Sequence, residues 1–418
     1  MPDPGYPTLA NLAKKAGYFT AIRHKVKDST PYYPYEWDLV LDDAPGGVKL
    51  NAKDAKSYGL STIQGIRSAK SVGKPFYLLI NVADPHVPFF GLDKAGKDVK
   101  DVFPPSRLYG AQEISVPGFL TDDLVVRQEL AHYYSSVRRA DDAVGQILQA
   151  LKESGEADNT LVMFISDHGM PFPFAKTQLY HQSTRTPLIF LWPGVVKKNS
   201  FDSEHMVSAV DIMPTLLEVI GTEIPTGVDG RTLLPLLKGG SQGDRDMVFK
   251  AHNENSSGQR NPMRAVESRH FLYIFNPWSD GKREIFSATN ETKTHKRMTE
   301  LAKDNVQIAS RLNLLKHRVL EEFYDIQKDP DCLVNLIADP AYQHEIENHR
   351  DTLEEWLRDM QDPMLAAFLG RSDSKVLAAY MHEQQLASKK RRELNRAIWN
   401  RAIEEKLQKM GDPSKADQ

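Results

Sequence analysis

Leu161-Val162-Met163-Phe164-Ile165-Ser166-Asp167-His168-Gly169 decides how the chain is read: an apolar run that ends abruptly in a carboxylate, an imidazole and a glycine. A short apolar run bounded by polar residues predicts a buried strand. Phe76 to Val82 (FYLLINV) has the same form and runs into Ala83-Asp84-Pro85-His86-Val87-Pro88. A third run, Leu188 to Trp192, is closed by Pro193-Gly194. Helical patterns lie between them. Arg127 to Glu153 carries Tyr134, Val137, Ala140, Val144, Ile147 and Leu148 as its expected apolar stripe, and Asp211 is expected to cap a helix through Ile220 with Gly221 as its stop. Near the start, Thr8 to Ala16 reads as a short amphipathic helix ended by Gly17, followed by the apolar run Tyr18 to Ile22 and a basic turn, Arg23-His24-Lys25. Ser29 to Trp37 reads as an irregular loop.

Strands alternating with helices predict an α/β domain over residues 1–240, with a mostly parallel sheet sandwiched by helices. The Gly/Ser/Gln patch at 239–243 is the expected boundary. Beyond it, Phe271 to Phe275 and Glu322 to Ile326 predict strands of a smaller C-terminal α+β subdomain over 241–365. Residues 366–418 read as a charged helical tail.

Composition narrows the function classes. With 40% hydrophobic and 26% charged residues the chain is an ordinary globular one, so wholesale disorder is excluded. Lys+Arg 53 against Asp+Glu 56 gives no electrostatic case for nucleic acid or an anionic membrane. No stretch approaches the roughly 18 apolar residues of a membrane span. Met1 to Pro7 lacks the basic and apolar regions of a signal peptide, which predicts a chain that is not exported if Met1 is the true start. Cys332 is the one cysteine, so an intrachain disulfide and a cysteine-rich metal site are both excluded.

Ligands of open α/β sheets bind beyond the carboxyl ends of the strands. Asp167 and His168, adjacent at such an end, suit a divalent cation. His86 and Lys176 would add donors for an anionic substrate. Either cluster alone is ordinary turn chemistry; two in one sheet with a nearby lysine mark a site.

Ordered motifs then carry a resemblance. Thr8-Leu9-Ala10-Asn11-Leu12 through Ala16-Gly17-Tyr18, Asp84-Pro85-His86-Val87-Pro88-Phe89, Gly118-Phe119-Leu120-Thr121-Asp122 and Ser166 to Thr177 (SDHGMPFPFAKT) occur in the order found in sulfatases of the alkaline-phosphatase superfamily. Arg185-Thr186-Pro187, Val210 to Leu216 and Tyr324-Asp325-Ile326 with Asp329-Pro330 follow the same pattern. The chain resembles the heparan N-sulfatase (sulfamidase-like) branch. That resemblance implies an alkaline-phosphatase-like fold and hydrolysis of a sulfate ester or sulfamate on a sulfated sugar. It also implies that Asp167 and His168 are ligands of a divalent cation, usually calcium, with manganese or magnesium open because His168 stands where asparagine is commoner. Lys176 and His86 would hold the sulfate oxygens, and Lys25 matches the lysine of the family's turn. A metal and several cationic donors suit a sulfuryl group whose charge spreads over its equatorial oxygens.

The departures are as informative. The family's nucleophile is a formylglycine made from the cysteine of C-x-P-S-R, and its first metal carboxylates are an Asp-Asp pair ending the opening strand. Both precede the helix that here begins near Thr8, so neither they nor the central first strand are expected in this chain. Phe103-Pro104-Pro105-Ser106-Arg107 and Asp42-Asp43 imitate the two motifs in the wrong places. His24 replaces a glycine, and Asp28 stands where a histidine is usual. His132, Asp142, Arg264 and Cys332 are expected to be structural; His252 and Glu254 are candidates for the substrate side of a cleft. The expectation is a sulfatase truncated at its N-terminus, inactive as given and exposing an apolar seam in its sheet. A non-catalytic homologue that binds sulfated glycan, or a phosphomonoester or phosphonate hydrolase of the same superfamily, are the alternatives. The full-length protein would, by resemblance, be exported, periplasmic or lysosomal.

Overall fold

The computed structural model describes residues 7–29, 37–255 and 258–410; the stretch read as a loop before Trp37 lies mostly outside them. Two compact units divide the chain. The first comprises Met1–Asp167, Thr186–Val248 and Thr292–Arg297; the second comprises His168–Arg185, Phe249–Glu291 and Met298–Gln418.

In the first unit Thr8 caps α1 (Leu9–Lys15), its hydroxyl accepting from Asn11 N at 3.2 Å, and Gly17 turns the chain at φ 93°. β1 (Phe19–Arg23) follows, then the single turn α2 (Val26–Ser29), β2 (Leu39–Val40) and a small hairpin of β3 (Asp43–Ala44) and β4 (Val48–Lys49). α3 (Ala55–Ser71) leads to β5 (Phe76–Ile80), and α4 (Leu124–Glu153) to β6 (Val162–Ile165). After α5 (His181–Thr184), which belongs to the second unit, come β7 (Leu188–Leu191), α6 (Ile212–Val219) and α7 (Leu234–Leu237).

The α/β reading holds. β2, β1 and β5 form a parallel sheet in that order, with Arg23 opposite Ile80, and α3 packs on β5 and α4. Gly65 permits the close approach of α3, since a Cβ there would lie 3.0 Å from Leu78 Cδ2. Among the described residues no helix is long and apolar enough to cross a membrane.

Three local expectations are corrected. β6 and β7 pair antiparallel with each other and stand apart from the parallel sheet, because an apolar run specifies a strand but not its direction. They are also not buried on both faces: Phe164 is 41% and Ile189 57% exposed. On α4 the buried positions include Val126, Leu130, Ser136, Arg139, Ala143, Ala150 and Leu151, whereas the expected Val137 and Leu148 are exposed. Small residues there let α3 approach, and Arg139 has buried carboxylate partners. Asp211 does occupy the N-cap position of α6, with Gly221 beyond its end, but its carboxylate makes no capping bond to that helix; it is a buried hub that accepts from Ser208 N, Arg231 N and Arg245 Nη1.

The second unit is built on β8 (Met247–Glu254, from Phe249 onward), β9 (Arg260–Ser268), β10 (Phe271–Phe275) and β11 (Glu321–Asp325), with α9 (Val306–His317) preceding β11; of α8 (Lys293–Leu301), the residues up to Arg297 fall in the first unit. The sheet order is β11-β10-β9-β8, and β10 pairs antiparallel with both β9 and β11, as the α+β reading expects. Leu272, Tyr273, Ile274, Phe275, Phe323 and Tyr324 are at most 1% exposed and form this unit's core. α10 (Gln343–Asp359), α11 (Leu365–Leu369) and the charged α12 (Ser374–Met410) complete it. Arg264 anchors the sheet as expected, its Nε donating to Asp362 at 2.7 Å.

Candidate functional site

The carboxyl ends of the parallel strands carry two of the expected anion-binding residues. After β1 the chain reverses through two residues in the left-handed region, His24 (φ 59°) and Lys25 (φ 47°). Such a pair is held only where its surroundings over-determine it. Here Asp42 does so, accepting from His24 N at 2.8 Å and pairing with the buried Arg23 at 3.0 Å. Asn81, just beyond β5, donates its side-chain amide to His24 O at 3.0 Å. Asp42 is thereby explained as a turn anchor. Burial, opposed by Asp42, lowers the pKa of His24, favouring its neutral ring.

Beyond β5, Asp84 is buried and held by Arg139 (Nε to Oδ2, 2.6 Å) and Lys53 (2.6 Å). Arg139 also reaches Asp101 at 2.8 Å. Burial opposes the charge of Asp101, yet the Phe103 N–H and Arg139 lower its pKa overall. Lys53 donates further to the carbonyls of His86 and Pro88, at 3.0 and 3.3 Å, and so pins the turn that exposes His86. The ring of His86 keeps its Nδ1 on Val87 O at 2.8 Å. Lys53 and Arg139 were not foreseen; the one hint is an arginine amid the small residues of α4's buried face.

Asp167 closes β6 and is exposed. His168 donates Nδ1 to Gly169 O at 2.7 Å, which makes Nε2 the acceptor atom of the neutral ring. Gly169 is required by close approach: a Cβ would stand 2.1 Å from Gln182 O and 2.7 Å from Ala175 O. Its N–H donates to Ser183 O at 2.9 Å. The pair fits two positions of a cation shell. Among the described residues no group of three His, Cys, Asp or Glu side chains that could hold a metal ion comes together.

Lys176 is half-buried in the second unit, on a segment whose Phe172, Phe174, Ala175 and Tyr180 are all 0% exposed. Thus Lys25, His86 and Asp167 belong to one unit, and His168 and Lys176 to the other.

The remaining candidates each have a local partner. His132 Nδ1 donates to Phe90 O at 2.8 Å. Asp142 accepts from Ser106 N at 2.7 Å and Ser106 Oγ at 2.6 Å, tying down the misplaced Pro-Ser-Arg. His252 Nδ1 lies on Asn261 O at 3.1 Å, and Glu254 pairs with Arg391 at 2.6 Å. Cys332 is fully buried, and burial pushes its thiol up to about 12, so it supplies no nucleophile.

The Sulfatase family model matches residues 2–222, and that of the N-sulphoglucosamine sulphohydrolase C-terminal region matches residues 167–316. Human N-sulphoglucosamine sulphohydrolase is 29% identical over 401 residues, covering 88% of this chain and 77% of its own. An ulvan-active sulfatase of Formosa agariphila is 25% identical over 384 residues, covering 87% of this chain and 61% of its own. A structure solved in complex with its substrate D-glucosamine-2-N,6-O-disulfate superposes with a TM-score of 0.55 at 17% identity, covering 86% of this chain and 83% of that one. The fold is alkaline-phosphatase-like. The chain belongs to the sulfatase family.

Proposed function

We propose that the protein recognises a sulfate group carried on a sugar, as an ester or a sulfamate, and that its site serves sulfate hydrolysis. The observation that carries this reading is the pair of pinned basic turns, Lys25 and Asp84–His86, at the carboxyl ends of neighbouring parallel strands. The names of the human and Formosa relatives and the disulfated glucosamine of the structural neighbour support the substrate class. Lys25, His86 and Lys176 would donate to the sulfate oxygens, each charged bond contributing about 1.5–3 kcal/mol. Sulfatases use a divalent cation; Asp167 and His168 would supply two of its ligands, and calcium is the ion proposed. When bound, it withdraws charge from the sulfate oxygens.

A second reading, a protein that binds sulfated glycan without turning it over, is favoured by the burial of Cys332, the one cysteine of the sequence. Both readings share the sulfate-binding residues. Thermal shift of the purified 418-residue chain in calcium, against N-sulfoglucosamine, an aryl sulfate, an aryl phosphate and glucosamine, tests them. Ligand at about 100 times its Kd should stabilise by about 2.7 kcal/mol. The sulfated sugar is expected to raise the Tm most, with no sulfate released. A response confined to the phosphate would reject the substrate class, and released sulfate would reject the inactive chain.

A further inference from the structure

Lys176 sits between two non-glycine residues in the left-handed region, Phe174 (φ 67°) and Thr177 (φ 62°). Each such residue costs about 1–3 kcal/mol and persists only where the surroundings enforce it; such strain gathers at functional sites. The enforcing contacts all come from the second unit. The rings of Phe174 and Tyr180 meet at 5.7 Å and close the base of a loop with Lys176 at its turn. Arg311 of α9 lies over the Phe174 ring at 4.1 Å, and Arg318 over the Tyr180 ring at 4.3 Å. The Tyr180 hydroxyl donates at 2.8 Å to Glu322, a fully buried carboxylate on β11 that also accepts from Tyr324 (2.6 Å) and Asn276 (2.8 Å). Just downstream, Lys250 of β8 donates to Leu179 O at 3.4 Å and pairs with Glu267, which also meets His181 at 3.1 Å.

We propose that Arg311, Arg318 and Glu322 are positioning residues: they hold Phe174 and Tyr180, and so fix the direction in which the backbone presents Lys176 to a sulfate group. A network that only stabilised the fold would not need two strained residues beside the one lysine of the loop. Relaxing the strain while leaving the core intact separates the two roles. The proposal rests on the reading of Lys176 as a sulfate ligand.

The test compares wild type, Thr177→Gly and Tyr180→Phe in thermal melting, local hydrogen exchange and calorimetric titration with N-sulfoglucosamine. Thr177→Gly should keep or raise the Tm, because glycine accepts φ 62° without strain. It should nevertheless weaken sulfate binding by about tenfold or more, since small displacements of a positioned group are costly. Tyr180→Phe keeps the ring and loses the bond to Glu322; it should speed exchange at 174–178 ahead of the β10 amides and lower affinity similarly. Thr177→Gly binding as tightly as wild type, or Tyr180→Phe leaving exchange at 174–178 unchanged, would overturn the proposal. If wild type binds no sulfated sugar, the sulfate reading of Lys176 fails, while the exchange comparison still decides whether the network holds the loop.

Discussion

The two units of this protein are built on similar apolar runs and treat them differently. In the second unit, positions along β9, β10 and β11 are buried almost without interruption. In the first, every residue of β5 is only half-buried, and β6 and β7 expose Phe164, Ile165, Ile189 and Leu191. Phe164 and Ile189 face each other across the β6–β7 pair and share one side with Leu191, while Ile165 points to the other, so both faces expose apolar groups. The antiparallel sheet is therefore the more fully buried; in the parallel sheet only β1 is buried, at four of its five positions, and Lys25, His86 and Asp167 follow the ends of β1, β5 and β6. Those ends depend on specific polar anchors such as Arg23–Asp42 and Arg139–Asp84 where apolar packing is thin.

The contrast can be broken most directly in the core. Phe323→Ala on β11 is expected to cost about 3–5 kcal/mol in denaturant unfolding, against under about 1 kcal/mol for Phe164→Ala on β6. Equal losses would remove the distinction. Arg139→Ala tests the anchors: it strips a buried carboxylate of its bidentate partner, at on the order of 3 kcal/mol, and should speed hydrogen exchange at 84–90. Unchanged exchange there would mean that Lys53 alone holds the turn.

A pH series sharpens the comparison further. Burial lowers the pKa of His252 and His349, both in the second unit, so the unfolded chain takes up protons there before the folded one does. The sign follows: their contribution is complete above about pH 6.5 and is lost as pH falls toward the lower folded values. Denaturant unfolding at pH 7.5 and 5.5 should show that loss, and His349→Gln should reduce it. The smallest effect is expected for Leu191→Gln, within about 0.5 kcal/mol in stability, with less self-association in sedimentation. Unaltered association would show that this face is not sticky.

Much of this was legible in the residues. Thr8 and Gly17 delimit α1 through local bonds, and the runs at 76–82, 161–165 and 271–275 became strands because apolar periodicity is a local property. Partnership was not legible. Nothing local to LVMFI says that it pairs antiparallel with Leu188–Leu191, or that Arg139 on α4 would be buried against Asp84 across 55 positions of sequence. For the site, close approach to Gln182 and Ala175 is what excludes a side chain at Gly169, and neither neighbour is local to the Asp167-His168-Gly169 turn. The anchoring of the Lys176 segment by Arg318 and Glu322 depends on long-range packing and left no mark in the motif that carries Lys176.

The central claim is recognition of a sulfated sugar through Lys176 and His86. Calorimetric titration of the 418-residue chain with N-sulfoglucosamine in calcium, beside Lys176→Ala, tests it most directly. The account predicts binding to the sulfated sugar and none to glucosamine, weakened by about tenfold or more in the variant, the loss of one charged hydrogen bond. Equal binding of glucosamine, or a Lys176→Ala variant that binds as well as wild type, would contradict it.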